Sequence, residues 1–341
     1  MADAVKVRWF EMPETERGVI ISSRVRLARN LNDYPFSLKI NEAQSARLLQ
    51  EVTGAVARSG AAFAYIDLSA AQDARALLER HIISSRMLES KAPRAVLAQP
   101  DESLSIMLNE EDHIRVQAIA AGSDIDAAWR AADSTDDMLE AELDYAFNSE
   151  FGYLTSCPTN TGTGLRASFM IHLPALEKTG GLKAVLTAIA KFGMTIRGTY
   201  GEGSEVMGSV YQVSNQLTLG KSEAEIIAGL KSVTDEIIRK ENLLAQRMLA
   251  ENRLELEDRA HRAYGILTNC KKVNTAEAME MLSVLRFARV HGFLDMPAFR
   301  LNTYNIMMNI QPGSLQKIFN RDLNEAERDL FRAEYLRNVL Q

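Results

Sequence analysis

The sequence predicts an α/β-type catalytic core followed by a mostly helical C-terminal domain, and three observations carry that expectation. Short apolar stretches of extended character recur at 19–21, 105–108, 114–119 and 206–219, with helical stretches between them. Polar, glycine-bearing loops at 151–166 and 195–205 interrupt this alternation. Beyond Gly220 the apolar residues take up helical spacing, and helix-capping pairs recur.

The first seventeen residues are mixed in character. From Gly18 the stretch GVIISSRVRLARN opens on Val19, Ile20 and Ile21 as a short strand and continues through Ser22, Ser23, Arg24 and Arg26. Period-two spacing puts Arg24 and Arg26 on one side if the strand continues. Two guanidinium groups aimed together repel unless an anion lies between them; the alternative is a solvated basic strand end. Asn41 with Gln44 reads as a capping box for a core helix that carries Leu48, Leu49 and Val52 and ends near Gly60. A second helical stretch holds Ala76, Leu77 and Leu78 and leads to His81, Ile82 and Ile83, where the histidine reads as a structural residue at the core's edge. Residues 105–108 and 114–119 fit two strands joined by an acidic turn of Asn109, Glu110, Glu111 and Asp112. Three adjacent carboxylates suit a solvated tip, or else they bind a cation or guanidinium group or take a proton.

Residues 127–147 read as a helix with Trp129, Met138, Leu139, Leu143 and Phe147 as packing residues. The following segment, FGYLTSCPTNTGTGLR at 151–166, gathers a cysteine, hydroxyls, an amide, glycines and an arginine with few large apolar residues. Such a segment lines a pocket for anion binding or catalysis, or is an irregular loop. An apolar stretch with His172 follows, then a helix at 181–192, then the second polar loop, TIRGTYGEGSE, with Arg197 and Glu202. The chain from 206 to 219 looks extended. Ser222 with Glu225 caps a long amphipathic helix reaching toward Arg262, with an interruption expected in the charged run ENRLELEDR. Further helices are expected at 276–290 and from Asn324 with Glu327. A boundary falls between 220 and 250, giving domains 1–235 and 236–341.

Composition narrows the function. The 341 residues carry a formal net charge of −6, with 25% charged and 46% hydrophobic residues, so no global nucleic-acid signature is present and an anionic ligand must meet a local basic cluster. No apolar run is long enough to span a bilayer, no signal-peptide pattern appears, and Cys157 and Cys270 make neither a disulfide framework nor a zinc set; a cytoplasmic protein without membrane association or resident protein-bound metal is expected.

Arg24, Arg26, Arg115, Arg166 and Arg197 each lie in or beside a strand end or a polar, glycine-bearing loop. If folding gathers them, their planar donor arrays need a polyanion, and triphosphate fits. The phosphate loop G-x-x-x-x-G-K-[ST] and the motif set of the common hydroxyl-directed kinases are absent, so a kinase built on these residues belongs to another class.

Four stretches in order, SSRVRLARN (22–30), NEEDHIRVQ (109–117), TSCPTNTGTGLRAS (155–168) and RGTYGEGSE (197–205), resemble the ATP:guanido phosphotransferase family, in particular its bacterial protein-arginine kinases. The resemblance implies an α+β fold, with a central antiparallel sheet flanked by helices and a mostly helical C-terminal domain. It implies phosphoryl transfer from Mg²⁺-bound ATP to a guanidinium nitrogen. Arg24, Arg26, Arg115, Arg166 and Arg197 fall on positions that hold the nucleotide phosphates, with Arg197 also counted as catalytic, and His81 falls near the adenine. Glu111 and Glu202 fall on the carboxylates that grip the acceptor, either of them the proton acceptor, with Cys157 beside it. Only 21 residues precede Ser22, where small-molecule members carry a helical domain, which favours arginine on a protein over a free guanidino compound. Arg328 and Asp329 match an Arg-Asp pair that reads phosphoarginine; a structural role at the start of a terminal helix is the alternative. The resemblance further implies a homodimer, a zinc-containing activator protein, a transcriptional stress regulator and a Clp chaperone-protease as partners, in stress response and protein quality control. A small-molecule guanidino kinase and a silent phosphoarginine-binding adaptor are the competing readings.

Overall fold

The structure, a computed structural model, describes residues 7–12, 18–37, 39–68, 74–89, 92–198, 206–293 and 302–341. Its strands are β1 (Ile20–Arg29), β2 (Ala64–Asp67), β3 (Ala95–Ala98), β4 (Leu104–Leu108), β5 (Ile114–Ala121), β6 (Phe147–Asn148), β7 (Gly152–Tyr153), β8 (Leu165–His172), β9 (Met194–Gly198) and β10 (Val210–Asn215). Eight of them form one sheet in the order β2-β3-β4-β5-β1-β8-β10-β9, while β6 and β7 make a small hairpin of their own. Every pairing in the large sheet is antiparallel. The fold is therefore α+β. This corrects the α/β-type alternation read from the residues and agrees with the antiparallel sheet that the resemblance implied.

The helices are α1 (Glu42–Arg58), α2 (Ala74–Glu79), α3 (Ser85–Glu89), α4 (Ile125–Glu140), α5 (Pro174–Lys178), α6 (Leu182–Ala190), α7 (Glu223–Asn269), α8 (Thr275–Val290), α9 (Thr303–Asn309), α10 (Pro312–Phe319) and α11 (Glu325–Leu340). The capping boxes at Asn41, Ser222 and Asn324 all close as their sequences predict. The long helix α7 leaves helical geometry at Asn252 (φ −140°, ψ 39°), inside the charged run where an interruption was expected. No helix of the described residues is long and apolar enough to cross a membrane.

Period-two alternation divides the sheet into two chemically different faces. Val25, Leu27, Val116, Ala167, Phe169 and Val213 point into the main core, beneath α1, α4, α6 and the first half of α7. On the other side, Ile21, Ile119, Met170 and Val210 join a second core built with α8, α9, α11 and a 3-10 turn at Trp9–Glu11. The β1–β8 register shifts between Ile20 and Ser22, so Ile20 packs with the first core and Ile21 with the second. The C-terminal helices thus cover one end of the face that also carries the alternate, polar residues of the central strands.

Other expectations are revised by pairing that the sequence does not reveal. Helix α4 is capped by Asp124 and stops at Glu140, because the chain beyond it is drawn into extended pairing with the end of β1: Leu31 bridges Tyr145, and the Ala146 amide donates to the Asn30 carbonyl. Phe147 consequently sits in β6, 57% exposed, and is not a packing residue of a helix. The extended stretch at 206–219 is a strand only in β10, and Leu217 and Leu219 are exposed. After β8, Pro174 occupies the first turn of α5, where its missing N–H costs nothing.

The two halves of the chain meet at Glu241, which is buried in α7 and accepts hydrogen bonds from the amides of Ala175 and Leu176, both at 2.8 Å. Burial pushes this carboxyl from 4.5 up to about 7, although the two amides favour its charged form. The folded protein then holds a proton that the unfolded chain has already released, so stability should fall as pH rises from the ordinary carboxyl value to about 7. The decline should be roughly 2 kcal/mol and should flatten in Glu241→Gln, as read by urea unfolding between pH 5 and 8. An unchanged slope in the variant would mean that another group produces the decline.

Candidate active site

The polar face of the sheet collects arginines from four strands. Arg24 and Arg26 alternate with Val25 along β1; Arg115 stands on β5, Arg166 on β8 and Arg197 on β9. Arg26 is directly opposite Arg166 across β1 and β8, and its neighbour on β5 is Gln117. Like charges in directly opposed sheet positions destabilise the strand pair. Arg24 lies opposite Ser168 and Ile119, and donates from Nη2 to Gln212 Oε1 at 2.7 Å. Gln212 is in turn the β10 neighbour of Arg197, so one amide side chain links the two ends of the cluster.

Electrostatics register the crowding. Burial, with Arg166 and Arg115 adding to it, lowers Arg24 to about 10 even though Tyr304 favours its charge. Burial and the charges of Arg24, Arg115 and Arg166 drive Arg26 well below the usual arginine value, and its buried Nε has no hydrogen-bond partner. Arg166 is lowered by burial, Arg197 and Arg115, against the influence of Glu111 and Cys157. Burial opposes the charge on Arg115 as well, but Glu110, Glu111 and Asp112 hold its pKa above the usual value. A polyanion would favour the charged forms of Arg24, Arg26 and Arg166 together.

The acidic turn between β4 and β5 divides its carboxylates by role. Asn109 takes the left-handed conformation (φ 58°) that closes the turn. Glu110 folds inward: it pairs with Arg115 Nη1 at 2.7 Å and accepts from Ser84 Oγ at 2.6 Å. Asp112 is fully buried and its Oδ1 accepts from Asn30 Nδ2 (2.8 Å) and the Ser156 amide (2.7 Å), tying the turn to the cysteine loop. His113 accepts the Leu31 amide at Nδ1 and donates from Nε2 to the Pro35 carbonyl, which makes it a structural neutral ring. Glu111 is left at the rim, its side chain 24% exposed, held by Arg115 at 3.1 Å, Asn160 Nδ2 at 3.3 Å and Arg86 at 3.5 Å.

The loop before β8 is shaped by short internal bonds. Cys157 Sγ lies 3.0 Å from Thr159 Oγ1, Thr155 Oγ1 donates to the Cys157 carbonyl, and Thr218 Oγ1 donates to the carbonyls of Thr159 and Thr161. Gly162 and Gly164 have positive φ, and a Cβ at either would come within 2.6 Å of a backbone carbonyl. The close neighbour of Gly164 is the carbonyl of Ala28, and beside it lies Arg29, whose Nη2 is 2.6 Å from Asp136 Oδ2 and whose guanidinium stacks 3.5 Å from the Tyr153 ring. The third arginine of SSRVRLARN is thus a fastening beneath the loop, not part of the guanidinium face.

Of the residues singled out by sequence, Arg24, Arg26, Arg115, Arg166, Glu111 and Cys157 lie around one region, with Arg197 on β9, three strands from β1. Glu202 lies in 199–205, outside the described residues. His81 is buried with a left-handed backbone (φ 62°), and its Nε2 is 3.0 Å from Tyr304 Oη. Arg328 and Asp329 lie on α11, remote in sequence from this face; Arg328 donates to the Leu323 carbonyl, and Asp329 Oδ1 accepts from buried Arg332 at 2.6 Å. Gln212, Asn160 and Tyr304 are not singled out by the sequence because each gains its partner only through long-range pairing. Among the described residues, no group of three or more His, Cys, Asp or Glu could hold a metal.

Comparison with known proteins matches this geometry to a family. Residues 46–244 match the ATP:guanido phosphotransferase C-terminal catalytic domain, and residues 253–341 match the C-terminal domain of the protein-arginine kinase McsB. The chain is 41% identical over 335 residues to a protein-arginine kinase of Caldanaerobacter subterraneus, covering 96% of this chain and 99% of that one. It is 40% identical over 336 residues to a protein-arginine kinase of Halothermothrix orenii, covering 97% and 96%. Among solved structures, the duplicated taurocyamine kinase of Schistosoma mansoni shares the fold, with a TM-score of 0.61, 24% identity, and coverage of 70% of this chain and 35% of that one. The guanidinium face, the acidic turn and the cysteine loop therefore sit in a chain that belongs to the ATP:guanido phosphotransferase family, on its protein-arginine kinase branch.

Proposed function

We infer that this chain is a protein-arginine kinase that transfers the γ-phosphoryl group of ATP to the guanidinium group of arginine residues in proteins. The observation that carries this reading is the partly buried face on which Arg26 stands directly opposite Arg166, with Arg24 and Arg115 alongside. Glu110 and Glu111 compensate Arg115, and a polyanion would compensate the rest.

The chemistry follows from the side chains. A guanidinium is protonated and its lone pairs are delocalised, so it must be oriented and deprotonated to attack phosphorus. In the proposed reaction an N–P bond forms as the bond from phosphorus to the ADP oxygen breaks, and the proton lost from the acceptor nitrogen passes to a carboxylate. Glu111, held by Arg115 and Asn160 at the rim, is one candidate for that carboxylate, and Glu202 is the other. The five arginines are assigned to the phosphates and to the charge that develops during transfer, His81 to the adenine side, and Cys157 to the acceptor's surroundings. Magnesium, when bound with the nucleotide, would neutralise phosphate charge.

We place the domain boundary at 235, with residues 236–341 as a helical C-terminal domain. The matched regions end at 244 and resume at 253, on either side of the Asn252 kink, which supports a division within α7. Arg328 and Asp329 are assigned to phosphoarginine reading. A cytoplasmic setting and a homodimer, with a zinc-containing activator, a stress regulator and a Clp protease as partners, complete the proposed context.

The first test is site-resolved mass analysis of an arginine-rich protein incubated with the chain and Mg-ATP at neutral pH, with free arginine and creatine in parallel. Phosphate on protein arginines is expected; phosphate confined to the free compounds would refute the protein-kinase reading. Glu111→Gln should lower turnover by about 10²- to 10³-fold while MgADP binding persists, and unchanged turnover would remove Glu111 from the acceptor site. Arg26→Met should separate binding from stability: nucleotide affinity falls by at least about 30-fold, while the nucleotide-free protein gains about 1 kcal/mol by losing a partly buried charge that faces Arg166. Calorimetric titration and thermal melting read the two effects, and a destabilised variant would show that the face needs no anion. Arg328→Ala should leave transfer intact and abolish binding of a phosphoarginine peptide; retained binding would make the residue structural.

A further inference from the structure

Tyr304 lies on α9, in the C-terminal helical part of the chain, yet its phenol points at the guanidinium face. The side chain is 3% exposed, its Oη is 3.0 Å from His81 Nε2, and its ring lies 6.0 Å from that of Trp9. The pair is held from both sides. Asn302 caps the amides of Tyr304 and Asn305 and donates to the carbonyls of Phe10 and Met12, which fixes where α9 begins. Glu79, two residues before His81, accepts from the amides of Gly313 and Ser314 at 2.8 and 2.7 Å and so binds α2 to the first turn of α10.

The histidine end of the contact is equally constrained. Its left-handed backbone turns the chain out of α2, and its carbonyl accepts from Gln117 Nε2 at 2.6 Å. Gln117 is the β5 neighbour of Arg26, so the His81 backbone is fastened to the row of side chains that carries the arginines. Ser22, Arg24, Ile119, Ser168, Met170 and Gln212 share a narrow cleft with His81 and Trp9. Burial and the charges of Arg24 and Arg26 lower the imidazole to about 3, so the ring is neutral at physiological pH and one of its nitrogens must accept. A phenol at Nε2 decides how that edge of the ring is used.

We propose that Tyr304 is a positioning residue of the nucleotide site, contributed by the C-terminal helices, which acts by fixing the ring of His81 against the guanidinium face. The proposal rests on the reading of that face as the ATP site. It gives the C-terminal part a direct share in nucleotide binding, separate from any reading of phosphoarginine on α11. Its chemistry is the hydrogen bond between the phenol and a buried imidazole beside two arginines.

Tyr304→Phe removes one oxygen and keeps the ring on Trp9. MgADP affinity, read by calorimetric titration of the full-length chain, should fall by about 5- to 20-fold, and KM for ATP should rise in parallel while KM for the acceptor protein moves by less than about two-fold. His81→Gln, alone and combined with Tyr304→Phe, closes a double-mutant cycle. If the phenol acts through the imidazole, the double variant should lose little more than His81→Gln alone. Unchanged MgADP affinity in Tyr304→Phe, or additive losses in the cycle, would overturn the proposal. Because binding needs no acceptor, a wild-type chain that binds MgADP but phosphorylates no protein arginine would refute the functional reading and leave this one standing; a wild-type chain that binds no MgADP would sink both.

Discussion

The arrangement depends on a repulsion. Arg26 and Arg166 face each other across paired strands, Arg115 depresses both further, Arg24 adds to the effect on Arg26 and Arg197 to that on Arg166, and partial burial limits the water that would screen the contact. A face of this kind is tolerable only on a rigid support, because side chains free to move would swing apart. The support is the antiparallel sheet, whose opposite face is packed with Val25, Leu27, Val116, Ala167 and Val213. Strand alternation converts that packing into aim: fixing the apolar residues inward fixes the arginines outward. The stability surrendered at the site is the same free energy that a bound polyanion recovers, which is the usual relation between a preorganised site and its ligand.

Around this core of charge, the acidic turn shows how proximity alone fails to define a role. Glu110, Glu111 and Asp112 are consecutive, yet one is an ion-pair partner for Arg115, one a buried clamp on the Ser156 amide, and one a partly open carboxylate at the rim. The left-handed Asn109 rotates the turn so that adjacent side chains diverge. Arg29 provides the parallel case on β1, where it follows Arg24 and Arg26 in sequence but is turned under the loop to Asp136.

These cases mark what the sequence could convey. Local signals were legible: the capping boxes at Asn41, Ser222 and Asn324, the interruption of α7 and the outward pairing of Arg24 with Arg26 depend on residues a few positions apart. Cross-strand register was not. The opposition of Arg26 to Arg166 joins residues that lie far apart in the chain, and no periodicity within either strand encodes it. Strands β2 and β3 went unread because they are four residues each, one largely exposed and one wholly apolar, so neither displays the alternation that identifies a half-buried strand. Phe147 was misread for the opposite reason: its spacing continued a helical pattern that tertiary pairing had already ended at Glu140.

The second core has a consequence for the order in which the molecule can be made. Trp9 and Phe10 pack there with Tyr304, Ile306 and Met307, and Asn302 bonds to the carbonyl of Phe10 across nearly the length of the chain. During synthesis the sheet can form as soon as β10 has emerged, but Ile21, Ile119, Met170 and Val210 then lie uncovered on the arginine face until α8, α9 and α11 follow. A chain lacking those helices would expose this apolar patch beside a cationic one. Closure of this core needs contacts of very large sequence separation, and the bond between His81 and Tyr304 is one of them.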